Sequence, residues 1–134
     1  MAKARLLLVE DDNITVMELR DRLQRLGYAV SGVASYGEEA IEKAGEMRPD
    51  LVLMDIRLKG DTDGIEAAEE IIARFDIPVV YLTALADENT LQRAELTKHY
   101  GYVGKPFDES ELQVAIETAL NRHEVGRRLE ESET

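Results

Sequence analysis

Leu6-Leu7-Leu8-Val9-Glu10-Asp11-Asp12 is an unbroken apolar run that stops at consecutive acids. Successive side chains of a strand point to opposite faces, so such a run needs cover on both faces. It reads as an interior strand of a parallel sheet whose acids emerge at its carboxyl end. Immediately downstream the period changes: beyond Ile14, the residues Val16, Leu19, Leu23 and Leu26 recur at three- and four-residue steps, the stripe of a helix that Gly27 closes. The same alternation then repeats. Tyr28 to Val33 reads as a second strand, and Ser35 with Glu38 forms a capping-box signature for a helix carrying Ala40, Ile41, Ala44 and Met47. Leu51 to Met54 is a strand ending at Asp55, and a polar loop through Gly60-Asp61-Thr62-Asp63-Gly64 leads to a helix with Ile65, Ala68, Ile71 and Ile72. Ile77 to Leu82 ends at Thr83-Ala84, with Pro78 suited to a strand entry. A weaker helix is predicted over Glu88 to His99 and a short strand over Tyr100 to Gly104, and Asp108 with Glu111 caps a final helix that runs into the 120s.

Five strands alternating with five helices predict an α/β fold: one five-stranded parallel sheet, doubly wound, with helices on both faces. At 134 residues the chain is one domain's length. Its 28 acidic against 16 basic residues leave a net charge of −12, which disfavours direct binding to nucleic acid or to an anionic membrane surface. Without cysteine, disulfides, thiolate metal sites and thiol catalysis are excluded within this chain. No apolar run reaches signal-peptide or membrane-spanning length, so a cytoplasmic location is expected.

Ligands of open parallel sheets bind outside the carboxyl ends of the strands. Those ends carry Glu10-Asp11-Asp12, Asp55, Thr83-Ala84 and Lys105-Pro106. Oxygen ligands without His or Cys suit a hard cation such as Mg²⁺, for which Glu10, Asp11 and Asp55 are the candidates. Converging carboxylates repel one another, so a cation or Lys105 must offset them. A carboxylate facing a metal-bound phosphoryl group can act as the nucleophile and form an acyl phosphate, and Asp55 is the central candidate. Lys105 and Thr83 supply the ammonium and hydroxyl that such a transfer needs. Lys105-Pro106 is a candidate cis peptide.

The strings Leu7-Leu8-Val9-Glu10-Asp11-Asp12, Asp50-Leu51-Val52-Leu53-Met54-Asp55-Ile56, Tyr81-Leu82-Thr83-Ala84 and Gly101-Tyr102-Val103-Gly104-Lys105-Pro106-Phe107 resemble, in this order and spacing, the receiver domain of two-component response regulators. The resemblance covers about Arg5 to Arg122. It implies the flavodoxin-like strand order 2-1-3-4-5. It implies that Asp55 is the phosphoacceptor and that Mg²⁺ is held by Asp55, by Asp11 directly, by Glu10 through water and by the main-chain oxygen of Arg57. Thr83 is then the hydroxyl that moves toward the phosphoryl group, Tyr102 the aromatic whose rotamer follows it, and Lys105 the partner of the phosphoryl oxygens. Two features depart from the common pattern: the loop from Asp55 to Gly64 is one residue longer, and Lys59 stands where proline is usual. Arg57 and Leu85 occupy the variable positions that influence phosphoryl lifetime in this family.

Each residue also has a bland alternative. Asp12 lies just past the acidic pair and is expected to cap the first helix. Thr83 alone reads as a strand-end hydroxyl, and Tyr102 as edge-strand packing. Gly101 to Lys105 is not a Walker loop, because the glycine spacing is too short and Pro follows the lysine. Asp61-Thr62-Asp63-Gly64 reads as a solvated turn rather than a calcium loop. His99 and His123 are read as isolated from one another and from the site.

The leading expectation is a signalling module, not an enzyme, that assists its own phosphorylation and dephosphorylation. It receives its phosphoryl group from a sensor histidine kinase or a histidine phosphotransfer protein and switches the surface of the helix over 88–99, the fifth strand and the final helix. An enzyme acting on small phosphorylated metabolites and a phosphate-independent interaction module are the alternatives. The expected division is a receiver over 1–122 and a charged helical extension over 123–134. Leu112, Ile116, Ala119 or Leu120, His123 and Leu129 lie near helical spacing, and Arg127 to Glu133 resembles the connectors that join receivers to PAS or sensor-kinase segments. The output is therefore expected through another chain or a fused segment, with this helix equally able to mediate a homodimer.

Overall fold

The computed structural model describes residues 4–58, 60, 62–83, 92 and 100–133, with side chains through 130. The strands are β1 (Arg5–Val9), β2 (Ala29–Ala34), β3 (Leu51–Asp55), β4 (Val79–Thr83) and β5 (Tyr102–Gly104). The helices are α1 (Asn13–Arg25), α2 (Gly37–Met47), α3 (Gly64–Phe75) and α4 (Glu109–Glu133). All neighbouring strands pair in parallel in the order β2-β1-β3-β4-β5, which is the expected doubly wound sheet. Among the described residues there are four helices rather than five, because the helix predicted over Glu88 to His99 lies outside them, as do Ala84, Leu85 and Lys59.

The apolar runs are buried on both faces, as their lack of alternation requires. Leu7, Val9, Val52, Met54, Val79 and Tyr81 pack with Ala40, Ala44, Ile65, Ala68 and Ile71 of α2 and α3. Their sequence neighbours Leu6, Leu8, Leu51, Leu53, Val80 and Leu82 pack with Leu19 and Leu23 of α1 and with Leu112, Ile116 and Ala119 of α4. One residue of register thus decides which layer a strand side chain joins.

The helix starts follow local chemistry in three cases and tertiary chemistry in one. Asp12 caps α1 by accepting from the Ile14 N–H at 3.3 Å and the Thr15 hydroxyl at 2.7 Å. Asp108 accepts from the Ser110 N–H at 2.8 Å at the start of α4. Asp63 and Glu66 form a reciprocal capping box at α3, at the point where the polar loop leads into the helix. The box expected from Ser35 and Glu38 does not form. Tyr36 is the cap residue of α2, Glu39 accepts from the Ser35 N–H at 2.7 Å, and Glu38 is drawn to the Thr62 hydroxyl at 2.8 Å. At its far end, α1 closes through Leu26, followed by Gly27 at φ 95°.

Candidate functional site

Strand register assembles the site. Val9 pairs with Met54, so Glu10 emerges beside Asp55. Asp55 pairs with Leu82, placing Thr83 one residue beyond it on the next strand. Thr83 pairs with Gly104, and the Lys105 N–H donates to the Thr83 carbonyl at 2.8 Å, so the lysine leaves β5 at the same sheet edge. The Lys105-Pro106 peptide is cis. Glu10, Asp11, Asp55, Thr83 and Lys105 therefore stand together at the carboxyl ends of β1, β3, β4 and β5, as expected from the sequence.

The buried polar or charged side chains among the described residues are Glu10, Asp55 and Thr83. Lys105 Nζ stands 3.3 Å from Glu10 Oε2 and 3.4 Å from Asp55 Oδ2. Asp55 Oδ1 accepts from the Arg57 N–H at 3.0 Å, which divides the work of its two oxygens between a backbone donor and the ammonium. Each of Glu10, Asp11 and Asp55 offers a carboxylate oxygen within 4.8 Å of the others. Three acids against one ammonium leave negative charge in excess. Burial, and after it the hydrogen bond to Asp55 and that neighbour's charge, push the Glu10 carboxyl up to about 8 against the opposing pull of Lys105. Burial works against the Lys105 ammonium, but Asp55 and Glu10 outweigh it and raise its pKa above the ordinary value. This donor set is all oxygen, closely spaced and under-compensated, which fits a hard divalent cation of the Mg²⁺ type.

Gly64 contributes to the site without touching it through a side chain. A Cβ there would lie 2.0 Å from the Asp55 carbonyl oxygen, so only glycine lets the start of α3 sit against the Asp55 backbone. The signal for this arrangement in the sequence is Asp63-Gly64-Ile65-Glu66, whose first and last residues form the capping box. Tyr102 is 39% exposed and lines a cleft of about 390 Å³ with Gly104, Ser110, Glu111 and Val114. It lies on the rim of β5 rather than among the buried acids. Asp12 turns away into its cap, as expected. His123 contacts Asp76 at the end of α3, away from the strand ends that carry the acids.

Residues 6–117 match the family model described as response regulator receiver domain. The transcriptional regulatory protein PdtaR of Mycobacterium tuberculosis is 40% identical over 118 residues, covering 88% of this chain, which spans 57% of that regulator's length. The solved signal receiver domain of a modulated diguanylate cyclase from Desulfovibrio desulfuricans G20 superposes with a TM-score of 0.88 at 37% identity, over 93% of this chain and 99% of that one. The receiver domain of the sensor histidine kinase PA1611 from Pseudomonas aeruginosa PAO1, solved with a magnesium ion coordinated in its active site cleft, superposes with a TM-score of 0.80 at 32% identity, over 90% and 99% of the two chains. With the sheet order, the buried acids and the match over residues 6–117 all agreeing, this chain belongs to the response regulator receiver domain family.

Proposed function

We propose that Asp55 accepts a phosphoryl group from a phosphohistidine, carried by a sensor histidine kinase or a histidine phosphotransfer protein, and that the resulting charge change is the signal. The observation that carries this reading is the burial of Glu10, Asp55 and Thr83 at one sheet edge beside Lys105. Taking charges out of water costs several kcal/mol per ion unless they are compensated, and a sheet edge with only a packing role has no use for them. Glu10, Asp11, Asp55 and the main-chain oxygen of Arg57 would hold Mg²⁺, which would neutralise the phosphoryl oxygens.

In the transfer, one oxygen of Asp55 attacks phosphorus in line with the P–N bond. The acyl P–O bond forms as the P–N bond breaks, and the bonding pair leaves with the imidazole nitrogen. Lys105 is already within 3.4 Å of Asp55 and pairs with the charge that arrives there. Thr83 donates its hydroxyl to a phosphoryl oxygen, and Tyr102 on the adjoining strand follows. The surface of β5, α4 and the helix predicted over 88–99 is then the part that switches. The chain is a phosphoacceptor that assists its own phosphorylation and dephosphorylation rather than an enzyme with a separate substrate. Ile14 and Met17, 71% and 70% exposed on α1 next to the acids, give a phosphodonor an apolar foothold. Residues 1–122 form the receiver and 123–134 the charged extension. The effector is another chain or a fused PAS or kinase segment, with a homodimer as a further state, and the setting is cytoplasmic. No described helix is long and apolar enough to cross a membrane.

Incubation with radiolabelled acetyl phosphate and Mg²⁺ tests the chemistry. The expected result is a hydroxylamine-sensitive label that is lost in Asp55→Asn and on chelation of the metal. A label that resists hydroxylamine, or that survives Asp55→Asn, contradicts the proposal.

A further inference from the structure

The buried residues Leu112, Ile116 and Ala119 seat the first turns of α4 on the sheet, and the helix then continues to Glu133. From residue 121 to residue 130 every side chain is exposed except that of His123, which is 15% exposed. Its Nε2 lies 2.7 Å from the backbone oxygen of Asp76 and 3.3 Å from Asp76 Oδ1. A backbone oxygen only accepts, so Nε2 carries the proton and donates. The ring meets Tyr100 edge-on, with centroids 5.9 Å apart and planes at 71°. Around this contact α4 crosses the molecule without close packing: a cleft of about 390 Å³ lies between it and the loops before β3 and β4, lined by Arg48, Phe75, Glu124 and Arg127.

The receiving residue closes its helix without glycine, as Arg48 does at the end of α2. Asp76 ends α3 in the left-handed region, φ 52° and ψ 48°, where glycine is the common occupant because a Cβ is disfavoured there. Aspartate adds to the turn a carboxylate that faces the same donor as its carbonyl. The end of α3 also presents the negative pole of a helix, which suits an N–H. We propose that His123 and Asp76 form a latch that fixes the direction in which α4 leaves the domain, at the pole opposite Asp55. The latch thereby sets the direction in which α4 carries the exposed Val125 and Leu129. Tyr100, which packs on the latch, is two residues from Tyr102, so β5 joins the latch to the rim of the acidic site.

The test uses the whole chain, which has no cysteine of its own. Spin labels at Glu42→Cys on α2 and Glu130→Cys on α4, both exposed positions, report the helix direction as a distance distribution. The latched helix is expected to give one narrow distribution. His123→Ala is expected to at least double its width and to speed amide exchange at residues 121–133 by about tenfold, with exchange in β1 and β3 unchanged. His123→Gln, which keeps an N–H donor, is expected to restore most of the narrowness, and Asp76→Gly, which keeps the turn and its carbonyl, to fall between. An unchanged width in His123→Ala, equal broadening in His123→Gln, or loss of protection throughout the core in place of residues 121–133 alone would overturn the latch.

Discussion

Burial, and after it the hydrogen bond to Asp55 and that neighbour's charge, raise the pKa of the Glu10 carboxyl, although Lys105 stands between the two acids. The Glu10 pKa of about 8, against an ordinary 4.5, means that the folded chain without metal holds more protons than the unfolded chain between those values. Stability of the metal-free protein therefore falls as pH rises through that window, the contribution being fully present below about 4.5 and lost above about 8. Mg²⁺ favours the carboxylate and is expected to oppose the fall. Urea unfolding at about pH 5 and about pH 8.5, with and without Mg²⁺, measures both effects through the midpoint. A stability that rises with pH in the metal-free protein would remove Glu10 from this role. The residues of the site were legible because each apolar run must stop where its strand leaves the core, and the polar residues just beyond it are the ones the sheet edge displays. His123 was not legible in the same way. Its partner Asp76 is 47 residues away, and no local pattern reports a contact made by the fold.

At the scale of elements, the start of α3 is where the fold constrains the site most tightly. Asp63 and Glu66 cap the helix reciprocally, and Gly64 lets it press on the Asp55 carbonyl. Asp63→Ala is expected to cost about 1 kcal/mol, the usual worth of a cap. Gly64→Ala forces a Cβ to within 2.0 Å of a backbone oxygen, so something must shift. It is expected to cost about 1–3 kcal/mol, as overpacking does, and to slow phosphoryl transfer to Asp55, whereas Asp63→Ala affects stability with little effect on transfer. Denaturant midpoints and the rate of labelling by acetyl phosphate separate the two. The capping chemistry of α1 and α4 was readable because each acid and the N–H that donates to it are neighbours in sequence. The start of α2 was not, because Thr62 from the loop before α3 competes for Glu38 and leaves Glu39 to accept from the Ser35 N–H. A capping signature is a local statement, and here a loop 24 residues away changed its outcome.

For the molecule as a whole, strand order came from the family resemblance, whereas parallel pairing came from physics: strands without polar alternation need cover on both faces, and the two core layers supply it. The net charge of −12 acquires a partial explanation in the same way. Glu10, Asp11 and Asp55 converge at one sheet edge with a single ammonium, which is a charge state suited to receiving a cation and a phosphoryl group together. On this account an oxygen of Asp55 is the destination of that group. The most direct measurement is to phosphorylate the chain with acetyl phosphate and Mg²⁺, reduce the acyl phosphate with borohydride, and map the product by mass spectrometry. Homoserine at position 55 is the expected result, absent when Mg²⁺ is chelated. Reduction at another carboxylate, or phosphate retained on a hydroxyl or histidine with position 55 intact, would contradict it.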